Sequence, residues 1–223
     1  MRKVLLVVAA SMILILSCSV AFASPYTEFK KGTSSAEIGI IRSELKTSDS
    51  GGSIDWDKKS NLDFGATTGL SDKLALQYKF QKFDSGNGHY LGFTGNVDSK
   101  VHELNLLYKL DPNAYAFIGF QRLSGDLIVP ALGSASIDST TVAQIGVTGV
   151  TKLSDNLNGW GTVAIGDDNY SYELGLGYAL AENTDLNLFY RYKKFDNLEF
   201  KDYSGYEFDA KNKGIGVSVT YKF

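Results

Sequence analysis

From residue 74 the chain reads Leu-Ala-Leu-Gln-Tyr-Lys-Phe-Gln-Lys. One parity carries Leu74, Leu76, Tyr78 and Phe80, and the other carries Ala75, Gln77, Lys79 and Gln81. An extended segment therefore has an apolar stripe on one face and a polar stripe on the other. No helical face collects those positions. The alternation recurs over 170–178, 186–194 and 215–223, and more faintly over 36–42, 61–68, 102–108, 115–122, 140–148 and 159–166. Ten strands are predicted.

Their connections alternate in length. Segments 69–73, 109–114, 151–156 and 180–184 are short and hold turn formers such as Ser-Asp, Asp-Pro-Asn and Glu-Asn. Segments 46–60, 84–100, 124–138 and 196–212 are long. The fifth connection on the long side, Asp167-Asp168-Asn169, is short. Fusing its flanks into one strand would put adjacent aspartates in the middle of a span, so the break is retained. Pro25, Pro112 and Pro130 all fall outside the strands, where a missing backbone donor does least harm. Short turns at one end and long loops at the other are what a membrane barrel requires. Segments 74–84 and 186–196 share Leu, Tyr, Lys, Phe and Asp positions, which convergence on one membrane template explains at least as well as duplication.

Parity alone does not say which face is inside. The polar parity holds Glu103, Asn105, Gln77, Lys79, Gln81, Asn187 and Arg191, with Gly175, Gly177, Gly214 and Gly216 between them, a mixture suited to a crowded lumen with some water. Tyr78, Phe80, Tyr108, Tyr178, Tyr190, Tyr192, Tyr221 and Phe223 end the apolar stripes, as in an interfacial girdle. Hydrocarbon offers no partner for a free backbone N–H or C=O, so the sheet must close. Termini on one side then demand an even strand count. The expected fold is all-β, a closed antiparallel up-and-down transmembrane β-barrel of ten strands, with eight as the alternative.

Composition removes competitors. A mean hydropathy of −0.10 with 21% charged residues excludes a bundle of membrane helices, and 43% hydrophobic with 13% aromatic residues excludes a disordered chain. Part of the apolar content sits at the N-terminus. Arg2 and Lys3 precede an uncharged run over 4–16, and Ala21-Phe22-Ala23 supplies small residues at signal-peptidase spacing. Residues 1–23 read as a cleaved export signal and 24–223 as the barrel. Ile15-Leu16-Ser17-Cys18 resembles a lipoprotein cleavage box, with Leu16 a poor fit; on that alternative Cys18 would be acylated. Cleavage after Ala23 removes the only cysteine, and with it disulfides, thiolate metal sites and thiol nucleophiles. Losing Arg2 and Lys3 takes the net charge from −3 to −5, which offers no basic surface for nucleic acid.

The last strand is the most specific signal. Ile215, Val217, Val219, Tyr221 and Phe223 form an unbroken apolar parity ending on a terminal Phe. This resembles the closing strand of bacterial outer-membrane proteins, whose final aromatic residue helps the assembly machinery recognise them. The resemblance implies an integral outer-membrane location, Val219, Tyr221 and Phe223 as an assembly signal, and lipid and lipopolysaccharide as neighbours. Similar small barrels are the OmpA/OmpX type with eight strands and the omptin type with ten.

Inward parity gathers Glu37, Asp63, Glu103 and Glu173 against Lys79 and Arg191, with Lys222 at the periplasmic end. Cross-strand ion pairs are expected, because an unpaired charge in a confined lumen is costly. Such a lumen is either filled by its side chains or a narrow polar pore. Arg42, Lys82, Arg122 and Lys194 fall at the extracellular rim, where they meet lipopolysaccharide phosphates or stay as solvated, snorkelling charges. Omptin-like proteases and lipid A-modifying barrels combine His with acidic or Ser partners, and only His89 and His102 exist here. No Asp-x-His occurs; Asp55 and Asp57 match half of the omptin pattern. Asp167 and Asp168 could meet a cation, but no EF-hand spacing is present. The long loops carry Trp56, Tyr90, Phe93, Phe200, Tyr203, Tyr206 and Phe208, which suits either recognition of an extracellular ligand or packing of loop on loop. The expected protein is a monomeric, non-enzymatic barrel without metal or cofactor, structural or interactive at the surface, with a narrow channel as the alternative.

Overall fold

Each apolar-polar run becomes a strand whose apolar parity faces outward. In the computed structural model, which describes residues 29–90, 93–131 and 133–223, the strands are β1 (Ser34–Asp49), β2 (Gly52–Asp55), β3 (Lys59–Gly69), β4 (Leu74–Lys82), β5 (Gly88–Tyr90), β6 (Phe93–Asp111), β7 (Ala114–Val129), β8 (Gly133–Lys152), β9 (Leu157–Gly166), β10 (Asn169–Ala181), β11 (Thr184–Phe200) and β12 (Tyr203–Lys222). The export segment, the Ala23 cleavage site and Cys18 lie outside the described residues.

Ten of these strands form a closed antiparallel ring, β1-β3-β4-β6-β7-β8-β9-β10-β11-β12, sealed by β12 pairing back onto β1. β2 and β5 are short hairpin partners above it. At the seam Ile38 lies opposite Val219 and Ile40 opposite Val217, and the termini are stitched by Ser34 and Phe223 exchanging backbone bonds of 2.8 and 2.9 Å. Closure leaves no free edge within the ring, which the absence of water in hydrocarbon demands.

The outward parity is exposed and apolar: Ile38, Ile40, Leu62, Phe64, Leu104, Leu106, Ile118, Phe120, Leu174, Leu188, Ile215 and Val217. Tyr108, Tyr178, Tyr221 and Phe223 mark its periplasmic border. Tyr170, Tyr172, Tyr190 and Tyr192 mark the other, with the Tyr172 and Tyr192 rings stacked at 4.9 Å. These are the two aromatic girdles of a membrane barrel.

Above the belt the molecule departs from the sequence expectation. The long loops are largely strand: β6, β7, β8, β11 and β12 run well past the girdle as ribbons that form a crown. Alternation persists there, but with apolar residues turned inward and polar residues toward water, so the ribbons are held by a core of their own. The short Asp167-Asp168 connection is explained at the same time. Over that low hairpin β8 and β11 meet directly, pairing Ile137 with Phe200, and Lys201 donates to the Ser136 carbonyl at 3.0 Å. The crown thus closes without β9 and β10.

Candidate functional site

The lumen is layered. At the periplasmic mouth Phe29 turns in beneath β1 and packs with Ala75, Leu107, Tyr115 and Phe117. Ile41, Val150, Trp160 and Phe189 form a second apolar cluster. Two inward glycines accommodate its rings: a Cβ at Gly175 would fall on the Trp160 indole, and one at Gly216 on the Phe189 ring. Those positions are small because aromatic side chains, not water, fill the space opposite them.

A polar belt crosses the barrel between this region and the crown. Arg191 on β11 reaches Asp63 on β3 at 2.5 Å through Nη1 and Glu173 on β10 at 2.6 Å through Nε, and its guanidinium lies 4.9 Å from the Phe189 ring centroid. Trp160 Nε1 donates to Glu173 at 3.4 Å. Lys193, one inward step beyond Arg191, pairs with Glu103 and donates to Gln81 at 3.0 Å and Gln121 at 2.9 Å. Amides continue the chain: Gln121 donates to Gln144, Gln144 to Asn105 at 2.8 Å, and Asn105 to Gln77 at 3.4 Å. A pocket of about 40 Å³ lies among the side chains of this belt.

Of the six lumen residues expected to pair, the structure joins Asp63, Glu173 and Arg191 directly. Glu103 meets Lys193, a residue the sequence reading passed over although it shares Arg191's parity. Glu37 accepts a bond from Ser218 at 2.5 Å rather than an ion pair. Lys79 stands in the same belt facing Glu173, Glu103 and Glu37, but has no carboxylate within 4 Å among the described residues. The tilt of the strands sets these heights, and register read along one strand does not contain it. Lys222 pairs with Asp185 at 2.9 Å near the periplasmic end.

At the rim, Lys82 and Lys194 are held by carboxylates. Lys82 lies 2.9 Å from Asp84 and 3.9 Å from Asp98, and its bond to Asp84 raises it above the usual lysine value. Lys194 contacts Asp196 and sits 2.9 Å from Asp209. Burial works to raise the Asp209 carboxyl, and the Lys194 ammonium outweighs it, leaving the group below its ordinary value. Arg122 donates to Ser139 at 3.3 Å. Arg42 is exposed on the outward parity with no carboxylate partner among the described residues.

Both histidines bond to hydroxyl groups. His102 Nδ1 meets the Tyr78 hydroxyl at 2.8 Å on the outer face, and His89 Nδ1 meets Thr94 Oγ1 at 2.9 Å in the β5–β6 hairpin. Neither ring reaches a carboxylate among the described residues, and no group of three His, Cys, Asp or Glu among them is arranged to hold a metal ion.

Of the loop aromatics, Trp56 and Phe208 are buried in the crown core, where Phe200 packs against them. Phe200 and Phe208 stack at 4.9 Å. Phe93 and Tyr206 stay exposed.

No curated protein matches the chain. Among solved structures it is similar to the outer membrane protease OmpT from Escherichia coli, at 15% identity and a TM-score of 0.61, over 89% of this chain and 100% of that one. It is also similar to the translocator domain of the autotransporter NalP from Neisseria meningitidis, at 10% identity and a TM-score of 0.50, over 88% of this chain and 91% of that one. At these identities the likeness concerns the fold alone. The model of the outer membrane protein beta-barrel domain matches residues 10–223. With a sealed ten-strand ring, an apolar belt between aromatic girdles and that match, the chain belongs to the outer membrane protein beta-barrel domain family and is an integral protein of the bacterial outer membrane.

Proposed function

We propose that this protein is a closed, non-enzymatic envelope barrel that contributes structurally to the outer membrane and presents its crown for interaction at the cell surface. The observation that carries this reading is the polar belt. Arg191 spans from Asp63 to Glu173, Lys193 is tied to Glu103, Gln81 and Gln121, and the pocket of about 40 Å³ between these side chains has room for no more than a few waters. A continuous aqueous path would have to break buried ion pairs, which is strongly unfavourable when one partner is left uncompensated. The non-enzymatic part is supported by the two histidines, which bond to hydroxyl groups rather than carboxylates.

Planar-bilayer recording on the refolded protein tests the proposal. No discrete conductance is expected. Reproducible single-channel openings would replace this reading with the narrow-channel one.

A further inference from the structure

Above the polar belt the lumen turns apolar. Leu45, Trp56, Phe83, Leu123, Leu198 and Phe208, with their neighbours on β1, β2, β6, β7, β8, β11 and β12, line an open-mouthed chamber of about 210 Å³. Part of this wall is the core that any water-surrounded crown needs. A core alone would be packed to the density of an organic crystal, with voids rarely exceeding one water, and an unfilled apolar cavity costs stability in proportion to its volume. This chamber is larger than the roughly 150 Å³ apolar cavity that stays dry and takes up benzene.

Its polar surroundings are satisfied without an occupant. Beneath it Lys193 is bound by Glu103, Gln81 and Gln121, with Nζ 5.9 Å from the Phe83 ring centroid. At the lip, Tyr206 donates to Asp49 and Trp56 Nε1 donates to Thr47 at 3.0 Å. Among the described residues that line it, the one charged side chain is Asp49, which also accepts from the Gly51 and Gly52 backbone. The walls are rich in rings: Trp56, Phe83, Phe195, Phe200 and Phe208 all line the space, and edge-to-face contacts favour an aromatic guest over a merely apolar one. Its lining reaches Asp49 and Gly52 at the β1–β2 turn and Tyr206 near the β11–β12 turn, the extracellular end of the ribbons.

We infer that the crown chamber is a binding site for a small uncharged arene of one or two rings, taken up from the extracellular side. This goes beyond the closed-barrel reading and is tested separately, since bilayer recording interrogates the belt and the following experiment interrogates the chamber alone.

The protein has two tryptophans, Trp56 in the chamber wall and Trp160 in the lower lumen. In a Trp160→Phe variant held in lipid nanodiscs, iodobenzene is titrated while Trp56 emission is read. Saturable quenching is expected, relieved by toluene as a non-quenching competitor. Ala210→Leu, which fills the chamber from β12, should weaken the half-saturation point about tenfold or more. Each variant is first shown to give a heat-modifiable folded band, with Leu127→Phe as a second filler if Ala210→Leu does not fold. Quenching that rises linearly without saturation, with the same slope in the filled variant, would mean partitioning into lipid only and would overturn the site.

Discussion

Arg191 shows how one lumen residue is fixed by its surroundings. It is buried between Glu173 from the adjacent β10 and Asp63 from β3, three strands away on the other side. Replacing it with Met leaves two carboxylates uncompensated, and Arg191→Met should cost about 3–5 kcal/mol, read as a shift in the urea midpoint of the refolded barrel in lipid vesicles. The triple change Arg191→Met, Asp63→Leu, Glu173→Met should recover most of that loss, because a packed apolar cluster can replace a buried ion triad. A single-variant loss below about 1 kcal/mol would place the pairs in contact with water, where such bridges are weak. At this scale the sequence was half legible. Parity assigned Arg191, Asp63 and Glu173 to the lumen. It led to the expectation of ion pairs but not to which of them meet, since Arg191 and Asp63 lie 128 residues apart, and carrying Arg191's parity one step would have found Lys193.

At the scale of elements, the ten spans were legible because period two is a local property and lipid punishes any polar residue on the wrong face. The ribbons above them were not. There water lies outside and the core inside, so the parity rule reverses its meaning without any change in period. In β11 the register also shifts between Phe195 and Leu198 around Asn197, at φ 55°. This bulge turns both Phe195 and Leu198 inward, and alternation counted along the chain would put Leu198 outside. The β11–β12 ribbon carries the Lys194–Asp209 pair, with Asp209 held below its ordinary value. A depressed carboxyl contributes stability above its unfolded value, about 3.9, and the contribution is lost as pH falls through the lower folded value. Hydrogen-exchange protection factors of this ribbon should therefore drop below about pH 4, and the drop should shrink in Asp209→Asn. An undiminished drop would assign it to other carboxylates.

For the whole molecule, closure is the event on which everything else depends. β12 pairs on one side with β1 and on the other with β11, so Val217 lies between Ile40 and Leu188. Val217→Pro removes a ladder donor and leaves its carbonyl partner unsatisfied in hydrocarbon, which should cost on the order of several kcal/mol. The expected result is loss of the heat-modifiable band, and a native band would show that the seam tolerates a gap. The sequence by itself determined the class of fold and the outward belt, because the solvent imposes a parity that each strand must obey alone; ten membrane strands rather than eight were settled by the closed ring. Only the tertiary structure decided which lumen charges pair, that a belt of paired side chains crosses the lumen, and that the crown holds an apolar chamber. Those features arise where strands distant in sequence face each other across the barrel, at heights set by tilt and bulges that no single strand records.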